Sequence, residues 1–356
     1  MQIAEIITID DGAAAYPRPL YTTRLMSGGG KLIVSNNPEE VNGQGILYQD
    51  RIEGSWRVCV HHQNKTGSET GGIRQPIQLL ITLTNPEEWK KTITVERSGA
   101  AVHADPQRAG YEAVQQFLHN KLPCRQDIAP AQSLSWGVNQ LNYGDTFAGV
   151  YDFSADGELE VSVVALFAGV RCDLLTAPLK QFRRHDNPDG TRTVRGTFPY
   201  RELYGHFVYY AGSGWRGAQL GNNPYGGYLR DPWWDWTWSQ VYKGEYPAGW
   251  NALDRETVYN WGNYGVVYHL KFRIEHRVRQ PQSTWMLFNP RGGTYYGPVE
   301  TGNTVLCPPG PVSPLTEAML VNHAETQAGA RENLTVSVMP AGGSSLPVRI
   351  LLGNPQ

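Results

Sequence analysis

Apolar and polar residues alternate over short runs through most of this 356-residue chain, the two-residue period of half-buried β-strands. Strands are predicted over Ile3 to Ile9, Gly30 to Ser35, Gly45 to Tyr48, Trp56 to His62, Ile77 to Leu83 and Thr92 to Glu96. Residues 62–75, rich in Gly, Ser and Thr, read as a loop. One segment breaks the pattern. Asp105 and Pro106 form an N-cap and first-turn proline, and Tyr111, Val114, Phe117, Leu118 and Leu122 follow as an apolar stripe, which predicts an amphipathic helix over 105–122. Beyond it, Asp156-Gly157 reads as the turn of a hairpin between Thr146 to Phe153 and Leu159 to Phe167. Asn187-Pro188-Asp189-Gly190 reads as a second turn between Leu179 and Phe198. Tyr204 to Tyr210, Gly265 to Ile274, Thr284 to Asn289, Leu334 to Val338 and Pro347 to Leu352 complete the set.

This order of elements predicts a mainly β protein of antiparallel β-sandwich architecture, jelly-roll or Ig-like, with two packed sandwiches and one helix. A faint internal echo supports the doubling: Arg57 to Asn64 and Ile77 to Pro86 resemble Val267 to Ile274 and Thr284 to Pro290. The expected division is an N-terminal sandwich over 1–135, containing the helix, and a C-terminal sandwich over 136–356 with an aromatic-rich insertion at 211–262; a single composite domain is the alternative.

Composition sharpens this picture. The 39 Gly and 24 Pro favour many turns, and 11 Trp, 19 Tyr and 9 Phe stand against only 18% charged residues. A net charge of −2 with scattered Lys and Arg argues against nucleic acid as a partner. The longest apolar run, Val161 to Val170, is about half of the roughly 20 residues a membrane-spanning helix needs. The first residues lack the basic start and apolar stretch of a secretory signal, so the expectation is either a cytoplasmic protein or an exported one whose leader has been removed. Cys59, Cys124, Cys172 and Cys307 lie too far apart for a zinc ribbon or C-x-x-C site, and leave free thiols or disulfides open. No nucleophile elbow, phosphate-cradling loop or dinucleotide fingerprint occurs, so no catalytic residue and no cofactor is expected. His61 and His62 point to opposite faces of a strand, as do His269 and His276, so no metal site is expected either.

The densest chemistry is Asp231-Pro232-Trp233-Trp234-Asp235-Trp236-Thr237-Trp238. If extended, Trp234, Trp236 and Trp238 share one face at about 7 Å steps, an aromatic ladder suited to the flat faces of sugar rings, with carboxylates for their hydroxyls. If helical from Asp231, Trp234, Trp238, Val241 and Tyr242 form a buried stripe instead. Candidate ligand-binding residues are Trp233, Trp234, Asp235, Trp236, Trp238, Tyr242 and Trp250. Three functions remain open: a non-enzymatic extracellular or cell-surface protein binding polysaccharide, cell-wall glycan or other surface proteins; a carbohydrate hydrolase using two of Asp231, Asp235, Glu245, Asp254 and Glu256; and a self-associating structural subunit in which Gln2 to Ile9 joins a neighbour's sheet edge. Arg183, Arg184, His185, Arg192 and Arg195 read as a solvated hairpin tip, with engagement of an anionic glycan or wall polymer as the alternative.

The segments Gly262-Asn263-Tyr264-Gly265-Val266, Phe288 to Gly297 and Met339 to Val348, and more loosely Gly45 to Asp50 and Leu83 to Pro86, resemble a β-rich region of secreted and surface proteins of Firmicutes-type bacteria. Those chains commonly carry a copper amine oxidase N-terminal-like stalk domain, which is not evident here. The resemblance implies an extracellular, surface-associated protein without an assigned activity. It does not imply an oxidase: Asn263-Tyr264 and Asn142-Tyr143 are each followed by Gly where the quinone-forming tyrosine needs Asp or Glu, and no H-x-H pair exists.

Overall fold

The computed structural model of the chain describes residues 1–9, 18–20, 24–67, 73–121, 123–170, 179–183, 193–222, 242, 244–277, 279–327 and 329–354. It is mainly β, with several mixed sheets, no barrel and, among the described residues, one helix, in keeping with the sandwich class. The chain forms two compact units: Met1–Gly28 with Glu202–Tyr246 and Trp261–Gln356, and Gly29–Arg201 with Pro247–Asn260.

The second unit is organised by two long strands, Gly45–Asn64 and Thr146–Phe167, which pair antiparallel along nearly their whole length. Asp156-Gly157 therefore does not turn a hairpin. It lies in an irregularity between Ala155 and Leu159, opposite Gly54 at φ +78°, where both strands change direction. Beyond this corner the pairing partners change. Residues 146–155 pair with Lys91–His103, and 159–167 with Ile77–Thr84, which pairs in turn with Ser133–Leu141. Lys31–Ser35 runs parallel to residues 56–60 and carries Arg195–Phe198, Gly249–Asn251 and Glu256–Val258 outward to the edge. The two layers meet in one apolar core, where Phe153 stacks on Trp56 at 5.8 Å and meets the edge of Trp136 at 5.2 Å.

The helix, Pro106–His119, starts as its capping residues predict, the Asp105 carboxylate accepting from Gln107 N at 2.9 Å. Ala109 and Ala113 pack on Ala101 and Ala148 of the sheet. Beside them Arg57 is fully buried, its guanidinium donating to both Asp152 oxygens at 2.7 and 3.0 Å. Phe117 covers Arg57 and Arg97 at 4.7 and 5.2 Å. Close approach of helix to sheet needs a residue without a side chain at position 99, because a Cβ there would lie 2.1 Å from Ala113 O and 2.4 Å from Phe117 N.

In the first unit, a seven-stranded sheet contains Val267–His276, which runs parallel to Glu202–Ala211 and antiparallel to Arg331–Val338. A six-stranded sheet is centred on Gln282–Pro290, between Glu317–Thr326 and Val348–Gly353. Glu317–Thr326 is a strand that periodicity does not announce: Glu, Asn and His interrupt its apolar positions, and pairing on both sides overrides its weak local preference. Gln2–Ile3 pairs with Thr304–Cys307 in the first sheet and Ile6–Thr8 with Glu317–Thr326 in the second. The N-terminal strand expected to join a neighbour's sheet is thus paired within its own chain. Cys59 and Cys124 are free thiols, Cys307 is buried, and Cys172 lies outside the described residues.

Gly99→Ala should destabilise the protein by about 2 kcal/mol or more, since backbone atoms, not a flexible side chain, occupy the space. A lowered urea midpoint with the far-ultraviolet spectrum retained below the transition is the expected result; an unchanged midpoint would contradict this packing.

Candidate functional site

Of the residues the sequence singles out, Trp233, Trp234, Asp235, Trp236 and Trp238 lie outside the described residues, as does Asp231. What is described is the base from which this stretch departs. Gly221 precedes it, Tyr242 follows it, and the fully buried Glu245 joins the two. Its Oε1 accepts from Gly221 N at 2.8 Å and from the Tyr268 hydroxyl at 2.9 Å, while Oε2 accepts from Tyr242 N at 3.3 Å. Asn263 Nδ2 donates to Glu245 O and to Tyr268 Oη, both at 2.8 Å. The Tyr242 hydroxyl donates to Leu20 O at 3.0 Å, and its ring meets the edge of Phe207. Tyr242 is therefore an anchor of the stem. Glu245, a candidate acid on sequence grounds, ties Gly221 to Tyr242 with one carboxyl group.

Burial pushes the Glu245 carboxyl from its ordinary 4.5 up to about 7, against the lowering effect of its hydrogen bonds from Gly221, Tyr268 and Tyr242.

Trp250 belongs to the second unit. It lies on the short strand Gly249–Asn251, where Gly249 and Asn251 are buried and the indole is 50% exposed. Register places it opposite Thr197 on one side and Thr257 on the other. Thr197 Oγ1 donates to Asp50 Oδ2 at 2.6 Å, and the Tyr48 hydroxyl lies 2.9 Å from Thr197 Oγ1 and 3.3 Å from Trp250 O. Burial raises the Tyr48 hydroxyl well above the usual phenol range, so it stays protonated. An exposed indole thus sits on a strand whose neighbour carries Thr197, the hydroxyl that engages the Asp50 carboxylate of Gly45–Asn64, and Tyr259, just past the adjoining strand, is also exposed.

The strand is held from below by Arg195, which is 2% exposed, so the expectation of a solvated tip fails for this residue. Its guanidinium reaches both Asp254 oxygens at 2.8 and 2.9 Å and donates to Leu47 O and Phe182 O. Asp254 also accepts from Asn251 Nδ2. Both Asp254 oxygens are therefore taken up in supporting the strand. Arg183 is exposed, and Arg184, His185 and Arg192 lie outside the described residues.

Sequence reading passes over one pairing that resembles a nucleophile and its base: His62 Nε2 lies 2.9 Å from Ser35 Oγ, and its Nδ1 2.7 Å from Pro38 O. Both side chains are fully buried, so no substrate reaches them, and burial pushes the imidazole down to about 3. The pair fixes a neutral tautomer in the core. His61 turns the other way, toward Pro106 O at 3.2 Å. Among the described residues no three His, Cys, Asp or Glu side chains gather where they could hold a metal ion, and no helix is long and apolar enough to cross a membrane.

No model of a known protein family matches the chain, and no curated protein matches it.

Because folded Glu245 keeps its proton where the unfolded chain has released it, folding takes up a proton between pH 4.5 and about 7. The stability this contributes is complete below 4.5 and lost as pH rises through 7. Urea unfolding across that window should show a decline of about 1.4 kcal/mol per pH unit from this group. Glu245→Gln should flatten it; an identical slope in the variant would contradict the assignment.

Proposed function

We propose that this chain is a non-enzymatic polysaccharide-binding protein of the cell exterior, presenting aromatic side chains from a rigid β-scaffold. The observation that carries the reading is Trp250. A large apolar side chain stands half in solvent on a strand pinned by Arg195 and Asp254, beside the Thr197 and Asp50 pair. Sugars offer flat C–H faces for an indole and hydroxyls for a carboxylate, and a fixed ring loses little entropy on stacking. The sequence offers further rings of the same kind at Trp233, Trp234, Trp236 and Trp238. Several weak stacking contacts on one polymer add through effective concentration. The resemblance to secreted Firmicutes-type surface proteins agrees with this setting.

The hydrolase reading draws less support, because Glu245 and Asp254 are engaged in holding backbone and strand. Self-association through Gln2 to Ile9 draws less as well, since those residues pair within the chain.

Retention on insoluble neutral glycans and on wall sacculi should fall about tenfold, a loss of roughly 1.4 kcal/mol, in Trp250→Ala. It should fall further when Trp234, Trp236 and Trp238 are also replaced by Ala. Undiminished retention by the folded quadruple variant, or release of reducing ends from the glycans, would refute the proposal.

A further inference from the structure

Ser133–Leu141 is paired on one side only. Its partner there is Ile77–Thr84, and among the described residues no strand lies along its other edge. Two observations fix the direction of its backbone groups. Gln132 O accepts from Asn85 N at 3.0 Å, so the carbonyl of residue 132 points toward the paired side. Ser133 Oγ and Ser135 Oγ lie 2.8 and 2.9 Å from the hydroxyls of Thr84 and Thr82, the close approach of opposed residues that exchange no backbone bonds. Ser133 and Ser135 therefore turn their N–H and C=O groups outward, along the open edge.

Two other edges of the same unit are guarded. Along Lys91–His103, Gln116 reaches over from the helix and its Oε1 accepts from Ala100 N at 3.2 Å. Cys124–Ile128 is short and charged, with Asp127 accepting from Lys90 Nζ at 2.8 Å. Ser133–Leu141 has neither device: from Ser133 to Gly144 the chain holds no charged residue and no proline. On its inner side Leu134, Trp136 and Val138 pack against the core yet remain only half-buried.

We propose that this edge pairs antiparallel with the same edge of a second copy of the chain, forming a two-fold dimer. A second copy is the occupant because the edge complements itself. Its side chains are uncharged, and the outward row of Ser133, Ser135 and Gly137 is small, so a two-fold axis brings together neither like charges nor bulk. With the axis at Ser135, the two Ser135 residues exchange N–H and C=O, and Ser133 of each copy meets Gly137 of the other. On the inner side Trp136 of each copy then lies beside Leu134 of the other, which covers the half-buried row. This register stops short of the irregularity between Val138 and Leu141, where the ladder to Ile77–Thr84 shifts. Each copy uses up its edge in the contact, so the pairing closes as a dimer and does not run on as a filament. The inference stands apart from the glycan reading, and the two fail separately.

The test is sedimentation of the full chain over a range of concentrations, with variants at the exposed Ser135. The wild-type chain should show a monomer–dimer equilibrium. Ser135→Lys and Ser135→Glu each set like charges opposite one another at the axis, and each should weaken dimerisation about fivefold. An equimolar mixture of the two variants should recover the wild-type affinity, because opposite charges then meet across the axis. A wild-type chain that stays monomeric at high micromolar concentration would overturn the proposal whatever the variants do. Undiminished dimerisation by the folded single variants, or a mixture no tighter than its components, would overturn it too. Capture of an extended peptide along this edge by a chain that remains monomeric would assign the edge to another protein's strand instead.

Discussion

The continuous ladder between Gly45–Asn64 and Thr146–Phe167 is the constraint on which the second unit depends. A strand of twenty residues cannot stay flat and still bury one face of every residue, so it must bend. The bend falls where Gly54 tolerates a positive φ and the partner is irregular. Residues before and after that corner serve opposite layers, and every shorter strand takes its place from one half of the ladder or the other. The exposed indole of Trp250 inherits this order: it stands two strands out from Lys31–Ser35, which is itself laid on the ladder. The position of that ring is thus set strand by strand from the ladder outward.

Buried charge follows a similar logic in both units. Arg57 with Asp152, Arg195 with Asp254 and Glu245 with its three donors are each fully or nearly satisfied. Such groups contribute little net stability over apolar substitutes, but removing one partner leaves the other stranded. They therefore act as specificity devices, fixing the helix, the edge strand and the loop stem in single arrangements. Asp254 and Glu245 look like candidate acids on paper because carboxylates near aromatic residues invite that reading; only their partners reveal the task.

Those partners explain what was legible in the sequence and what was not. Asp105 and Pro106 announce a helix because capping is settled within three residues, and most strands declare themselves by alternation. Asp156-Gly157 is read as a hairpin tip because its turn chemistry is genuine, whereas its position opposite Gly54, a hundred residues earlier, makes it a corner. Glu317–Thr326 is invisible to periodicity because its stability comes from two flanking strands. The clamp at Glu245 spans 24 residues to Gly221 and 23 to Tyr268, and no local pattern encodes such a meeting. The outward rows of the seven-stranded sheet escape notice for the same reason: Tyr204 and His269 become neighbours only through a parallel pairing across more than sixty residues.

The interleaving of the two units has a consequence for biogenesis. Residues 1–28 belong with 202–246 and 261–356, so on the ribosome they emerge first and wait while the whole of 29–201 is made. The second unit's long ladder lies wholly within that interval, but its edge strands at 249–258 come only after residues 202–246 of the first unit have been made. Neither unit is completed in the order of translation. The second unit has all its residues once Asn260 has been made, whereas the first waits for 261–356, a demanding order for a chain dominated by distant contacts.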